Sequence, residues 1–301
     1  MKPAHVVLAV TVAVVWGVNF VVIDVGLRTL PPLLFTALRF TVAALPAVLF
    51  VGRPRVPPRW VLGVGLSTGA LQFGLMFTGM HMGMPAGLTS LVIQIQVLFT
   101  AGFSAALTGE RPTVRQWIGM AVALGGVVLV GVDYGQSSPV LAFLLVLAGA
   151  ASWGLGNVLT RKAAPPDGFR FMVWISVVPP LPLLTASLLI EGAGADLEAL
   201  RHMNLSALAS LGYVAWFATL LGYGSWSALI RRYQATTVAP YALLVPVFGM
   251  TSAALFVGEP VTPLRAVAAA LVVLGVAVAT VTRRNARAVR GTATDRLTKV
   301  G

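Results

Sequence analysis

Cysteine is absent from all 301 residues, which removes disulfides, thiolate metal sites and a cysteine nucleophile and leaves the redox compartment unread. Charge is nearly as scarce: Asp, Glu, Lys and Arg make up 10% of the chain, where soluble domains carry about a quarter, so a water-facing surface cannot be built around it. Acidic residues number 9 against 21 basic ones, and none pair within an apolar run. P-loop and HExxH patterns are missing, as are paired carboxylates inside a span, so an ATP-driven pump or a carboxylate-based intramembrane hydrolase lacks its parts and no enzyme is expected. No cofactor and no metal ligand set is expected.

What fills the chain is apolar, at 57% of residues and a mean hydropathy of +0.89, the composition of an all-α integral membrane protein. Breaks at Gly, Pro and charge clusters predict ten spans, at roughly 6–26, 33–51, 60–81, 86–108, 115–132, 138–160, 170–190, 205–230, 236–257 and 264–282. The first is too long for a cleaved signal peptide and is read as a permanent helix. The net charge of +12 lies in connections and tail, which points to anionic lipid headgroups and not to nucleic acid. With the amino terminus inside, cytoplasmic segments hold Lys2, Arg53, Arg55, Arg59, Arg111, Arg115, Arg161, Lys162, Arg170, Arg231 and Arg232, while the other side keeps Arg28, Arg201 and Arg265. That asymmetry predicts two cytoplasmic termini.

The stretch from Met84 to Glu110, a span with Gln94 and Gln96 near its middle, organises the rest. A weaker copy follows about 149 residues later, setting Ala86 on Ala235, Phe99 on Phe248, Gly109-Glu110 on Gly258-Glu259 and Thr113 on Thr262. The opening spans match too, Trp16-Gly17 with Trp153-Gly154, at a shift of about 137. Five spans per half reverse the orientation, so the predicted fold is ten transmembrane helices as two inverted five-helix repeats, 1–135 and 136–283, followed by a basic cytoplasmic tail, 284–301.

Polar residues inside spans are the candidates for chemistry, because an unpartnered amide or charge in hydrocarbon is costly. Gln94 and Gln96 point about 200° apart on an ideal helix, so one is expected to line a cavity and the other to bond a neighbouring helix. Trp16 with Asn19, and Trp153 with Asn157, each share a face and either line a pathway or pack helices together. Gln72 shares a face with Thr68 and Met76. Tyr223, Trp226 and Tyr241 read as aromatic walls, whereas Tyr213 and Tyr233, near span ends, read as interfacial anchors. Arg39, well inside the second span, would pair a solute carboxylate or Asp24, or else form a structural pair or snorkel to the headgroups as an interface anchor. Gly119 with Ala123, and Gly275 with Ala279, give small-residue faces on helices five and ten that serve as scaffold or as a homodimer contact. The segment Glu191 to Asn204 reads as an acidic outer loop.

VVWGVNFVVIDVGL (Val14 to Leu27), PPLLFTALRF (Pro31 to Phe40), MPAGLTSLVIQIQ (Met84 to Gln96), SWGLGN (Ser152 to Asn157) and VAPYALLVPVFGMTSAAL (Val238 to Leu255) resemble the EamA family of the drug/metabolite transporter superfamily. Within it the chain is most similar to the branch exporting O-acetylserine, cysteine and related amino-acid metabolites. One departure is Asp24, where that branch has a lysine. The resemblance implies a central cavity walled by helices one to four and six to nine, and gradient-driven export of small metabolites across the bacterial inner membrane. The rival reading keeps the fold and exports hydrophobic drugs or toxic cations, with Asp24 taking the role of Arg39.

Overall fold

An apolar run crosses a hydrocarbon layer only if its backbone satisfies its own hydrogen bonds, which makes each span a helix. The computed structural model describes residues 1–110, 112–135, 140–233 and 235–280, and among them holds helices and no strand. Nine helices are long and apolar enough to cross a membrane: α1 (Pro3–Leu27), α2 (Pro32–Phe50), α3 (Pro58–His81), α4 (Ala86–Thr108), α5 (Val114–Asp133), α6 (Val140–Ala163), α7 (Gly168–Arg201), α8 (Leu205–Arg232) and, beyond the shorter apolar α9 (Pro240–Phe256), α10 (Pro263–Thr280). Arg111 and the tail from Arg283 lie outside the described residues.

Two predicted spans are redrawn. The segment 236–257 is broken at Leu243 and Leu244 into the helices Ala235–Ala242 and Val245–Phe256. Pro246 sits in the first turn of the second piece, where its missing N–H costs nothing. The seventh helix runs past residue 190, and the expected acidic loop contains the helix Ala193–Arg201. Asp196, buried, accepts from Ser187 Oγ at 2.9 Å, which ties that extra helix back onto α7.

Side-chain bonds define the two ends of the bundle. At the terminal end, the hydroxyl of Tyr233, 2.7 Å from His5 Nδ1, also accepts from the Lys2 backbone N–H. Trp174 donates to the Gly52 carbonyl and Lys162 to that of Leu107. At the distal end, Asn204 meets Thr29, and Arg265 meets Asp133 at 2.8 Å. Between the ends, exposed apolar side chains such as Leu62, Leu124, Leu144, Leu181, Leu221 and Leu274 face outward, as a helix bordered by lipid requires.

Helix pairing comes in matched sets. α1 packs on α8 and α9, α6 packs on α3 and α4, and α5 packs along α10. Glycines permit the closest crossings: a Cβ on Gly17 would stand 2.5 Å from Phe248 Cβ, and one on Gly154 would stand 2.7 Å from Phe99 Cβ. The small-residue faces of α5 and α10 meet each other, with a Cβ on Gly119 falling 2.5 Å from Ala279 N and one on Gly275 falling 2.4 Å from Ala123 N. These two faces therefore pack on each other within the chain.

Candidate functional site

Two adjoining cavities, of about 250 and 300 Å³, lie at the centre of the bundle and share Arg39, Gln72, Phe73, Trp153, Asn157 and Tyr223. The first runs from Arg39 toward Pro165 and Gly168, so the combined space reaches toward the terminal end. Trp16, Asn19, Gln94, Gln96 and Trp226 also line the second. Neither lining draws on α5 or α10. Tyr241 is not on this wall; it packs against Ala9, Leu229 and Val238.

Gln94 and Gln96 both border the cavity, against the expectation that they would part. The backbone tightens to a 3₁₀ turn over Ile93–Ile95, and at three residues per turn positions two apart lie about 120° from each other around the short way. Gln96 Oε1 also accepts from Asn157 Nδ2 at 2.7 Å, and Asn157 reaches Thr100 Oγ1 at 3.2 Å. Asn157 is thus anchored by α4. Asn19 is not: its Oδ1 is buried without a partner among the described residues. The α9 residues matching Gln96 and Thr100 are Val245 and Gly249, which offer no side-chain hydrogen bond.

Arg39 is 2% exposed and meets no carboxylate among the described residues. Its Nε and Nη2 donate to Thr219 Oγ1 at 3.3 and 3.1 Å, and its guanidinium carbon stands 3.8 Å from the centre of the Phe73 ring. Nη1 has no partner. Asp24, the alternative partner, instead binds Arg28 at 2.9 Å, one helical turn away in its own helix. A cation over an aromatic face gains about 2 kcal/mol when desolvated, whereas an uncompensated buried charge costs several. A bound anion would close that gap.

Thr219 and Phe73 escaped the sequence reading because a threonine or phenylalanine in an apolar run carries no signal of its own. The π-type turns at Gly65–Leu71 in α3 and Tyr213–Gly222 in α8 escaped it too. They occupy repeat-matched positions, and in α8 the widened turn lets Thr219 Oγ1 donate to the Val214 carbonyl, five residues back, while it accepts from Arg39. Trp16 lines the cavity and also donates from Nε1 to the Ala218 carbonyl at 2.9 Å. Tyr213, expected as an interfacial anchor, donates to the Val15 carbonyl at 3.0 Å, so it joins α8 to α1.

The sequence profile of the EamA-like transporter family matches residues 4–132 and again residues 140–281. The chain belongs to this family. Among EamA relatives it is 42% identical over 275 residues to a protein of Escherichia coli K12 named "Probable amino-acid metabolite efflux pump", covering 89% of this chain and 92% of that one. A protein of the same name from Salmonella typhimurium LT2 is 44% identical over 274 residues, with the same coverage of 89% and 92%. A crystal structure described only as "Crystal structure of protein" superimposes with a TM-score of 0.63 at 22% identity, covering 95% of this chain and all of that one; it speaks to the fold alone. Family membership makes the protein a transporter, and the helices of α1 to α10 make it multi-pass.

Proposed function

We infer that the protein exports amino acids or their metabolites across the bacterial inner membrane, by alternating access between two inverted five-helix repeats, 1–135 and 136–283, with both termini cytoplasmic. The two consecutive profile matches and the repeat-matched glycine crossings support the duplication, and the basic residues gathered at the terminal end support its orientation. The substrate class agrees with the names of the Escherichia and Salmonella relatives.

One observation carries the reading at the level of atoms. A single cavity presents an unpaired guanidinium N–H from Arg39 and an unpaired amide oxygen from Asn19, both buried. A carboxylate answers the first and an ammonium group the second, so the vacant bonds fit a zwitterion. Trp16, Tyr223 and Trp226, whose rings lie 5.1 and 5.3 Å from one another across Trp16, form the wall for a side chain. A cation exporter would need an acidic cavity, and no Asp or Glu lines either space among the described residues.

Counterflow in proteoliposomes loaded with unlabelled amino acids tests the proposal. Uptake of labelled cysteine, O-acetylserine or a related amino acid is expected, competed by other zwitterions and not by organic cations. Absence of exchange with every amino-acid-like solute, from monodisperse protein, would overturn the substrate class.

A further inference from the structure

Glu259 projects from the turn between α9 and α10 and takes the start of α4 in a two-pronged grip. Its Oε1 accepts from Ala86 N–H at 2.6 Å and its Oε2 from Gly87 N–H at 3.0 Å. These are donors that a helix leaves unsatisfied at its first turn. Gly87 leaves room for the grip, since a Cβ there would stand 2.8 Å from Oε2. The bond joins the second half of the chain to the first at the distal end, opposite the end toward which the cavity runs.

The matching turn between α4 and α5 is built the same way. Gly109 (φ +71°) precedes Glu110 as Gly258 (φ +74°) precedes Glu259. Thr113 Oγ1 accepts from Gln116 N–H as Thr262 Oγ1 accepts from Arg265 N–H. Only the grip differs. Glu110 meets Arg161 at 3.1 Å, with both side chains more than half exposed, and the residue matching Ala86 is Ala235, where the helix Ala235–Ala242 begins.

We propose that Glu259 and Glu110 are alternating latches: Glu259 caps the start of α4 when the distal end is shut, and Glu110 exchanges Arg161 for the backbone N–H groups of Ala235 and Thr236 when the terminal end is shut. This rests on the inverted-repeat part of the proposed function and not on the solute. In sequence the copy carries Thr236 where the start of α4 carries Gly87. Arg161 then has a defined role. Bonded also to Ser104 Oγ at 2.9 Å, it parks Glu110 while the terminal end is open.

The absence of cysteine makes the test direct. Met84→Cys, buried beside the distal latch, and Ser227→Cys, on the terminal arm of the cavity, are single reporters for membrane-impermeant maleimides applied from either side. Glu259→Ala should raise Met84→Cys labelling from outside on the order of tenfold, as loss of a charge-assisted pair of bonds implies. Glu110→Ala and Arg161→Ala should act in opposite directions: the first lowers distal labelling and raises that of Ser227→Cys, and the second does the reverse by freeing Glu110. Glu259→Gln, which keeps size and an acceptor and lacks the charge as the protonated acid does, should stay near wild type or label less, in contrast to Glu259→Ala. Equal effects of Glu110→Ala and Arg161→Ala, or none, would overturn the latch, because a surface ion pair responds alike to loss of either partner. No solute is needed, so the substrate reading is untouched by that outcome; reporters reacting from one side only would instead sink the inverted topology.

Discussion

Asn157 gives its Nδ2 to Gln96 at 2.7 Å, so the first helix of the second half is fastened by an amide pair to the fourth helix of the first half. Exchanging Asn157 for Leu strips Gln96 and Thr100 of a shared donor in a half-buried setting. A loss of about 1–3 kcal/mol in stability is expected, read as a lower melting temperature of the detergent-solubilised protein. Asn19→Leu, which removes an atom already without a partner, should leave that temperature near wild type while raising the KM for amino-acid exchange.

Arg39 should separate solutes by charge. Arg39→Gln removes the only fixed cation of the two cavity linings among the described residues, and exchange of carboxylate-bearing solutes should fall by about 10–100-fold in kcat/KM, the cost of an unanswered buried carboxylate. Thr219→Val leaves the guanidinium in place and deletes its acceptor, so a smaller rise in KM is expected. Initial rates across a panel that includes amino-acid amides, which lack the carboxylate, check both.

The α5–α10 seam should not tolerate growth. A methyl at Gly119 would press on the backbone of Gly275 and Ala279 at 2.6 and 2.5 Å, so Gly119→Ala should cost about 1–3 kcal/mol by overpacking. The same substitution at Gly125, which has open space around its Cβ position, is the control. Thermal unfolding of the two variants side by side gives the comparison.

Acidity should favour the shut distal end. Burial raises the Glu259 carboxyl above its ordinary 4.5, and nearby Asp24 adds to that, against the Gly87 and Ala86 N–H groups and Arg265, which lower it. A carboxyl whose pKa is higher in the latched form than in water binds its proton more tightly there, so the preference for the latched form is full below about 4.5 and fades as pH rises through the raised value. Distal labelling of Met84→Cys should therefore increase as the external pH is raised, and Glu259→Gln should flatten that dependence.

Much of this was legible in the residues because membrane helices obey few rules. Spans follow from apolar length, and the recurring Gly-Glu turn and Trp-Gly pair fall once in each of the two stretches that the family profile matches. The wall of the cavity was visible through Trp16, Asn19, Arg39 and the glutamines, polar groups with no reason to sit in hydrocarbon unless something meets them. What stayed hidden depends on departures from ideal helical rotation. The 3₁₀ turn at Ile93–Ile95 re-aims Gln94 and Gln96, and the π-type turn at Tyr213–Gly222 delivers Thr219 to Arg39. Tyr241 misled for a related reason, since the break at Leu243 and Leu244 leaves it packed against Leu229 and Val238. Glu191 and Glu259 read as loop acids, because a carboxylate that grips main-chain donors 158 and 173 residues away leaves no local pattern.

The bare backbone crossings at Gly17 and Gly154 carry a mechanical consequence. A glycine backbone seated directly on Phe248 or Phe99 leaves little to compress, so under the proposed rocking it behaves as a fulcrum, and a body tilting on two such bearings travels furthest at its extremities and least at its middle. Asn19 lies two residues beyond Gly17 and shares a cavity lining with Arg39, so on the proposed reading a captured solute would be held beside a pivot while the doorways on either side trade places.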